Sequence, residues 1–143
     1  MPDEDETLAD LFWAVARRLR HQTRETVAPF GVTPGQARAL AILAREGAMR
    51  LSALSDSLRI VPRSGTEVVD ALEERGLVRR SPDPADRRAT LVTLTDAGRD
   101  LAAGLGAARR AEAAALFGTL TASDRESLTR ILTTLRAPAI PEA

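Results

Sequence analysis

Two clusters of side chains in this sequence have the types and the spacing that suit contact with a nucleic acid. The first follows Pro62, where Arg63, Ser64, Thr66 and Glu67 occupy four of the next five positions. Arginine can bind the O6 and N7 atoms of guanine, and glutamate can accept a hydrogen bond from the N4 of cytosine. Serine and threonine hydroxyls can reach phosphate oxygens. The cluster therefore predicts a surface that contacts double-stranded DNA in the major groove.

A simpler interpretation of the same cluster involves no partner. Arg63 and Glu67 are four positions apart, so on a helix they can form an ion pair on a solvated face. Such a pair stabilises a helix by only roughly 0.2–0.5 kcal/mol. These residues alone leave both interpretations open, and the neighbouring segment favours the first.

The second cluster is Asp86, Arg87 and Arg88, within "SPDPADRRATLVTLTDAGR" at residues 81–99. Runs of β-branched and apolar residues flank it, which predicts a β-hairpin with a charged tip. We expect the tip to reach the minor groove, which attracts arginine where it is narrow. An ion pair between Asp86 and Arg88 would direct the Arg88 guanidinium, and Arg87 would face a phosphate. Arg79 belongs to the same basic surface and is a further candidate DNA contact. The alternative is a solvated loop with local salt bridges.

Capping residues predict where the first two helices begin and end. Thr7 with Asp10 starts a helix that runs to about Val27. Thr33 with Gln36, and proline between them, starts a second helix that ends at residue 47, a glycine. These signals are typical of helices in a mainly α protein.

The middle of the chain predicts a helix-turn-helix followed by a hairpin. Residues 49–51 are expected to be extended, and Ser52 is expected to cap a short helix over Ala53–Leu58. A turn at residues 59–61 leads to a helix from Pro62 that Gly76 closes, with an apolar arc at residues 65, 68, 69 and 72. Strands are expected at residues 77–81 and 90–94, joined by a long loop, Pro82–Ala89.

Two more helices complete the chain. Thr95 starts an alanine-rich helix through about Phe117, and Thr121 with Asp124 starts the last one, before a tail at residues 137–143. The predicted fold class is mainly α with a small β-hairpin wing, comprising about six helices and two to three short strands.

The segment "VPRSGTEVVDALEERGLVRRSPDPADRRATLVTLTDAGR", residues 61–99, resembles the signature of MarR-type winged helix-turn-helix regulators. The resemblance rests on the Asp-Arg-Arg wing preceded by Asp-Pro, on "LEERGLV" and on "LTDAG", and through element order it extends over roughly residues 7–136. It implies a ligand-responsive repressor that binds a pseudo-palindromic operator as a homodimer. Glu67 departs from the family pattern, in which a basic or neutral residue is common there, and this leaves the base preference open.

The resemblance also implies the organisation of residues 1–143 as one domain. Residues 33–94 form the winged helix-turn-helix lobe, with the recognition helix at 62–75, the wing at 82–89 and Arg88 as the minor-groove residue. Residues 7–28 and 95–136 form the dimerisation helices.

The first, fifth and sixth predicted helices carry more apolar residues than a monomer would leave exposed, which predicts a two-fold interface. The candidate dimerisation residues are Leu8, Leu11, Phe12, Leu116, Phe117, Leu128, Ile131, Leu132 and Leu135.

A small aromatic or acidic effector is a further expectation from the family. Its candidate contacts are Trp13, Arg17, His21, Phe30 and Arg38, because an aromatic side chain near a cation suits a phenolic acid. Trp13 fits the dimer core equally, and His21 fits a structural or phosphate-facing position.

Composition excludes several other classes of function. The chain has no cysteine, so it has no disulfide, thiolate zinc site or cysteine switch, and a single histidine does not make a metal site. It has no run of membrane-spanning length and opens on acidic residues, so we expect a cytoplasmic protein without membrane partner or cofactor. No nucleophile has a plausible histidine partner, and Gly104 and Gly106 follow no βα turn, so we expect no enzyme activity.

The serious rival is a degenerate winged helix that binds proteins rather than DNA. The net charge of zero and the acidic Glu67 favour it. The basic wing tip argues against it, because a protein-interaction module has no need for Asp86, Arg87 and Arg88 together.

Overall fold

A computed structural model describes residues 5–137; the acidic Asp3 and Glu4 and residues 138–143 of the predicted tail lie outside this range. Within it the chain forms six α-helices, one short 3-10 helix and a three-stranded antiparallel sheet. The mainly α fold class with a β-hairpin wing is confirmed. The helices are α1 Leu8–Val27, α2 Pro34–Glu46, α3 Leu51–Leu58, α4 Pro62–Glu74, α5 Asp96–Phe117 and α6 Ala122–Arg136, with the 3-10 helix at Ala28–Phe30. The strands are β1 Met49–Arg50, β2 Val78–Asp83 and β3 Asp86–Leu94.

Capping side chains begin four of the helices where the sequence predicts. At α1 and α2 the capping boxes are complete. The Thr7 hydroxyl accepts from the backbone N–H of Asp10, and the Thr33 hydroxyl accepts from that of Gln36. In return, the side chains of Asp10 and Gln36 accept from the backbone N–H groups of Thr7 and Thr33. Thr95 and Thr121 cap α5 and α6 in the same way, through backbone N–H groups three residues on. These contacts satisfy N–H groups that a helix start otherwise leaves unpaired.

The predicted start of α3 is wrong. The helix begins at Leu51, its N-cap is Arg50 without a side-chain hydrogen bond, and Ser52 lies inside the first turn. The reason is the sheet: Met49 pairs with Val92 and Arg50 with Leu91, so extended backbone ends at Arg50 and the helix follows at once.

The long loop predicted at Pro82–Ala89 is also corrected. Strand pairing extends to the tip, with Pro82 opposite Thr90 and Asp83 opposite Asp86, so only residues 84 and 85 form the turn. The register shifts between Pro82 and Asp83, which leaves residues 87–89 of β3 as a bulge with no opposite residue on β2. Proline is compatible with β2 because the strand order β1-β3-β2 makes it an edge strand, where a missing N–H breaks no central ladder. The wing is therefore a ribbon with an irregular tip that carries Asp86, Arg87 and Arg88 on β3.

One core holds the helix-turn-helix and the wing together. Leu40 of α2, Leu54 of α3, Val69 and Leu72 of α4 and Val92 of β3 are all completely buried. Helices α3 and α4 pack so closely that a Cβ at residue 65, a glycine, would collide with the Oγ of the buried Ser55. The position of α4 relative to the rest of the lobe is thus fixed by packing at its first turns.

Candidate nucleic-acid interface

Helix α4 presents the first predicted cluster to solvent. Its inward face buries Val69 and Leu72, as the apolar arc predicts, and Arg63, Thr66 and Glu67 are exposed on the other side. Helix α4 begins at residue 62, so the positive end of its dipole and its free N–H groups lie next to this cluster. This end of the helix can attract a polyanion.

The simple ion pair is present as well. Arg63 Nε lies 3.7 Å from Glu67 Oε1, and the two side chains are 91% and 69% exposed. An ion pair this exposed contributes roughly 0–1 kcal/mol, so either side chain can exchange its partner for a base edge at small cost. Thr66 donates its hydroxyl to the Pro62 carbonyl oxygen at 3.1 Å, which leaves its lone pairs as acceptors.

One member of each predicted cluster, Thr66 and Arg88, lines a shared cleft. This cleft of about 240 Å³ is lined by Pro62 and Thr66 of α4, by Arg88 of the wing, by Ser52 of α3 and by Arg50 just before it. Arg88 is exposed and its side chain lies on the same side of the wing as the first turn of α4. Arg87 lines a different, shallower cleft with Arg80 and residues 81–82, as expected for neighbours on a strand.

The predicted ion pair between Asp86 and Arg88 is corrected. Asp86 Oδ1 instead accepts a hydrogen bond from the backbone N–H of Arg88 at 2.9 Å. Short aspartate side chains readily bond to the backbone two residues on, and this one fixes the course of the chain at the wing tip. Asp86 thus positions the Arg88 backbone and leaves the guanidinium for another partner.

A clamp that sequence reasoning missed joins the wing to α4. Arg80 of β2 donates to Glu73 Oε1 at 3.1 Å and contacts Asp70 Oδ1, and its backbone N–H donates to Glu73 Oε2 at 3.0 Å. The hydrogen bond that Arg80 donates to Asp70, together with the charges of Asp70 and Glu73, raises the pKa of Arg80 against the effect of burial. The acidic end of α4 therefore binds its own wing. The only sequence signal for this clamp was the presence of two acidic residues on the predicted α4 helix and of an arginine shortly after it.

A second contact stiffens the wing tip. Asp83 Oδ1 accepts from the backbone N–H of Ala85 at 2.9 Å, and Asp83 Oδ2 binds Arg50 Nε of β1 at 2.7 Å. The Ala85 hydrogen bond, with the Arg50 guanidinium second, lowers the pKa of Asp83. The Asp83 carboxylate thus ties the turn to the strand on the far side of the sheet.

The structure separates the five candidate effector contacts. Trp13 is 53% exposed, with its ring edge-on to Phe12 at 5.9 Å, and His21 Nε2 lies 3.3 Å from Glu25 Oε1 on the surface of α1. Phe30 lies against α5, where a Cβ at residue 104 would be 3.3 Å from its ring.

Of the five candidates, Arg38 alone lines a cleft of about 280 Å³ between α1, α2 and α5. Three arginines that the sequence did not single out, Arg20, Arg24 and Arg109, line it as well.

The predicted dimerisation residues lie on the outside of the single chain. Leu8 is 83% exposed, Phe12 50%, Ile131 45% and Leu135 71%. Leu11 and Leu132 are also exposed, and Leu116, Phe117 and Leu128 are half-buried. Exposed and half-buried apolar side chains therefore lie on α1, α5 and α6.

Other kinds of site find no support within residues 5–137. Nowhere in this range do three or more histidine, aspartate or glutamate side chains come together as a metal site would require. The range also contains no helix that combines the length and the hydrophobicity needed to span a bilayer.

Comparison with known proteins shows which proteins this chain is similar to. The model of the MarR family matches residues 32–90, from the start of α2 to the wing. An HTH-type transcriptional regulator of Mycobacterium bovis is 36% identical over 128 residues, which cover 90% of each chain. The HTH-type transcriptional repressor MdtR of Bacillus subtilis is 29% identical over 101 residues, covering 68% of this chain and 65% of its own. Apo MarR of E. coli shares the fold, with a TM-score of 0.84 at 24% identity, over 94% of this chain and 100% of its own.

Proposed function

We propose that this chain, which belongs to the MarR family of winged helix-turn-helix transcriptional regulators, represses transcription by binding a pseudo-palindromic operator as a homodimer. Its relatives are DNA-binding regulators and not enzymes. The finer terms, namely repression, the homodimer and a response to an effector, belong to the proposal. So does a cytoplasmic location, where a regulator of transcription meets the chromosome.

The observation that carries the proposal is the cleft shared by the start of α4 and the wing. There Thr66 and Pro62 lie across from Arg88, and Arg63 and Glu67 are exposed next to them. In our proposal α4 enters the major groove, with Arg63 and Glu67 reading bases and Ser64 and Thr66 contacting phosphates. Arg88 enters the adjacent minor groove.

The remaining proposed contacts are with the DNA backbone. Arg87 and Arg79 are exposed on the wing and would bind phosphates, and Asp86 would hold the Arg88 backbone in place. Such contacts set register and supply affinity without carrying sequence information.

The homodimer is supported by the exposed apolar surface on α1, α5 and α6. A second copy would cover it by a two-fold contact and place two recognition helices roughly 34 Å apart, one turn of DNA. Each half of a pseudo-palindromic operator would then meet one copy of α4 and one wing.

Repression is supported by the name of a relative, since the B. subtilis protein is a transcriptional repressor. An effector that changes the spacing of the two lobes would relieve repression, because only one spacing fits the operator. In our proposal the effector binds between the dimerisation helices and the DNA-binding lobe, where Arg38 lies.

The experiment that tests the proposal is a selection of bound duplexes from a random DNA pool, with wild type and Arg88→Ala side by side. We expect a two-fold symmetric motif for wild type, and a motif relaxed at the minor-groove positions for the variant. Recovery of no sequence above background would contradict the proposal and favour the protein-interaction module.

Salt dependence separates the same two functions by an independent route. Binding to the selected duplex should weaken steeply with salt, because each neutralised phosphate releases counterions. A flat response would show that phosphate contacts do not supply the affinity, and would contradict the proposed contacts with the DNA backbone.

A further inference from the structure

The cleft between α1, α2 and α5 has an unusual lining. Its volume is about 280 Å³, and four of its seven lining residues are the arginines Arg20, Arg24, Arg38 and Arg109. The other three are Thr23, proline 34 and alanine 37, so no carboxylate of the described residues lines the cleft.

These arginines lack acidic partners in the rest of the described chain as well. None of the ion pairs found within residues 5–137 includes any of the four. Among residues 5–137, the one polar contact of their guanidinium groups is a long hydrogen bond of 3.4 Å from Arg38 to the Leu58 carbonyl oxygen. Four guanidinium charges around one cleft repel one another, and a bound anion offsets that repulsion.

We infer that this cleft binds a small phosphorylated metabolite carrying at least two negative charges. A monovalent phenolic acid would balance one of the four arginines, whereas a phosphate or diphosphate group can accept paired N–H donors from several. Helix α2 begins at residue 34, in the cleft wall, so the positive end of its dipole adds to the attraction. The ligand class rests on the effector response proposed above.

The position of the cleft gives this ligand a way to act on DNA binding. Arg20 and Arg24 belong to α1 and Arg109 to α5, both proposed as dimerisation helices, and Arg38 belongs to the DNA-binding lobe. A phosphorylated ligand that bridges them favours one arrangement of the lobe on those helices. A difference in affinity between two arrangements is what an effector needs to shift their populations.

The test uses inorganic pyrophosphate as the probe and benzoate as the monovalent comparator, on the full chain at constant ionic strength. Calorimetry and thermal unfolding are measured for wild type, Arg24→Gln and Arg109→Gln. The matched control is Arg18→Gln, which removes an exposed arginine of α1 that does not line the cleft. We expect pyrophosphate to bind wild type and raise its Tm, with affinity about tenfold or more weaker in each cleft variant, as loss of a charge-assisted hydrogen bond implies. Arg18→Gln should bind like wild type.

Three outcomes would overturn the inference. Equal binding of benzoate would show that multiple charge is not required, and an equal loss in Arg18→Gln would reveal a general charge effect. The third outcome is that pyrophosphate does not bind, while Arg24→Gln weakens DNA binding and lowers its salt slope. These arginines would then contact DNA phosphates rather than a small ligand. Operator selection with wild type is unaffected by any of these results, so failure of the ligand class stays distinct from failure of DNA recognition.

Discussion

The backbone of Arg88 is held by a hydrogen bond, while its guanidinium is available to bind a partner such as DNA. Asp86 accepts a hydrogen bond from the Arg88 backbone N–H at 2.9 Å, and Arg88 lines the cleft that it shares with the start of α4. We expect Arg88→Ala to weaken operator binding by about 1–3 kcal/mol, because a groove contact is lost without a change in fold. Titration of a labelled operator duplex measures the loss. The control variant Arg45→Ala removes an exposed arginine of α2, away from the wing, and should bind the operator as wild type does. Equal losses of affinity in both variants would contradict the minor-groove role of Arg88.

Glu67 carries the open question of base preference. Its carboxylate lies 3.7 Å from Arg63 and is exposed, so it can either accept from a cytosine or only restrain Arg63. We expect Glu67→Ala to change the preferred base at one position in each half-site by about 1–3 kcal/mol of discrimination, and to change total affinity less.

Measured affinities for operators with all four bases at that position check this prediction. Glu74→Ala removes another exposed carboxylate of α4, near its far end, and should leave the base preference unchanged. If Glu67→Ala strengthened binding to every sequence equally, the carboxylate would act by repulsion alone and would read no base.

Between elements, the Arg80 clamp fixes the wing against the recognition helix. Arg80→Gln would leave Asp70 and Glu73 facing each other without the cation between them. We expect the variant to lose about 1–3 kcal/mol of unfolding free energy in urea, since hydrogen bonds to charged groups are removed from a half-buried side chain. Arg79→Gln, at the exposed neighbouring position, should change it by less than about 0.5 kcal/mol.

The same clamp predicts coupling between Arg80 and Arg88 in DNA binding. If the wing loses its position, Arg88 no longer reaches the minor groove, and removing it costs less. The losses of affinity in Arg80→Gln and Arg88→Ala should therefore be less than additive in the double variant. Strict additivity would show that the clamp stabilises the lobe without positioning the wing.

Local signals explain which elements the sequence predicts. Thr33 and Gln36 specify the start of α2 within four residues, so the capping box could be read directly. The start of α3 depends on the pairing of β1 with β3, about forty residues further along the chain, and local patterns do not contain that pairing. The wing turn is local, but its prolines are typical of a loop, so the strand pairing on both sides of them was not predicted. The contacts of Arg80 and Arg50 were missed for the same reason, because each joins different elements. Residue types thus predicted the candidate interface, while its supporting contacts required the fold.

For the whole molecule, charge is distributed so that the net value of zero conceals local basic surfaces. Asp70 and Glu73 are bound by Arg80 next to the interface, while Arg87 and Arg88 stay exposed. The cleft between α1, α2 and α5 is lined by four arginines that form no ion pair within residues 5–137. Neutral composition is therefore compatible with a protein that binds a polyanion.

The exposed apolar surface of α1 and α6 leads to the prediction for the assembled molecule. Ile131 is 45% exposed in the single chain, so Ile131→Asp should leave the monomer folded and place a charge within the proposed two-fold contact. We expect sedimentation to show dissociation to monomers. Affinity for a two-half-site operator should fall by about 100-fold or more, because linkage of two binding units supplies at least that factor. Affinity for a single half-site should change little.

Ala41→Asp introduces the same charge at an exposed position of α2 and is the matched control for the dimer. It should sediment as wild type does and keep its preference for the two-half-site operator. An Ile131→Asp protein that remains dimeric would place the contact elsewhere on the molecule. A wild-type protein that is monomeric, yet selects a symmetric motif, would mean that two copies meet only on DNA. In that case the apolar surface would be buried in the bound state alone, and operator binding would rise with the square of protein concentration rather than in proportion to it.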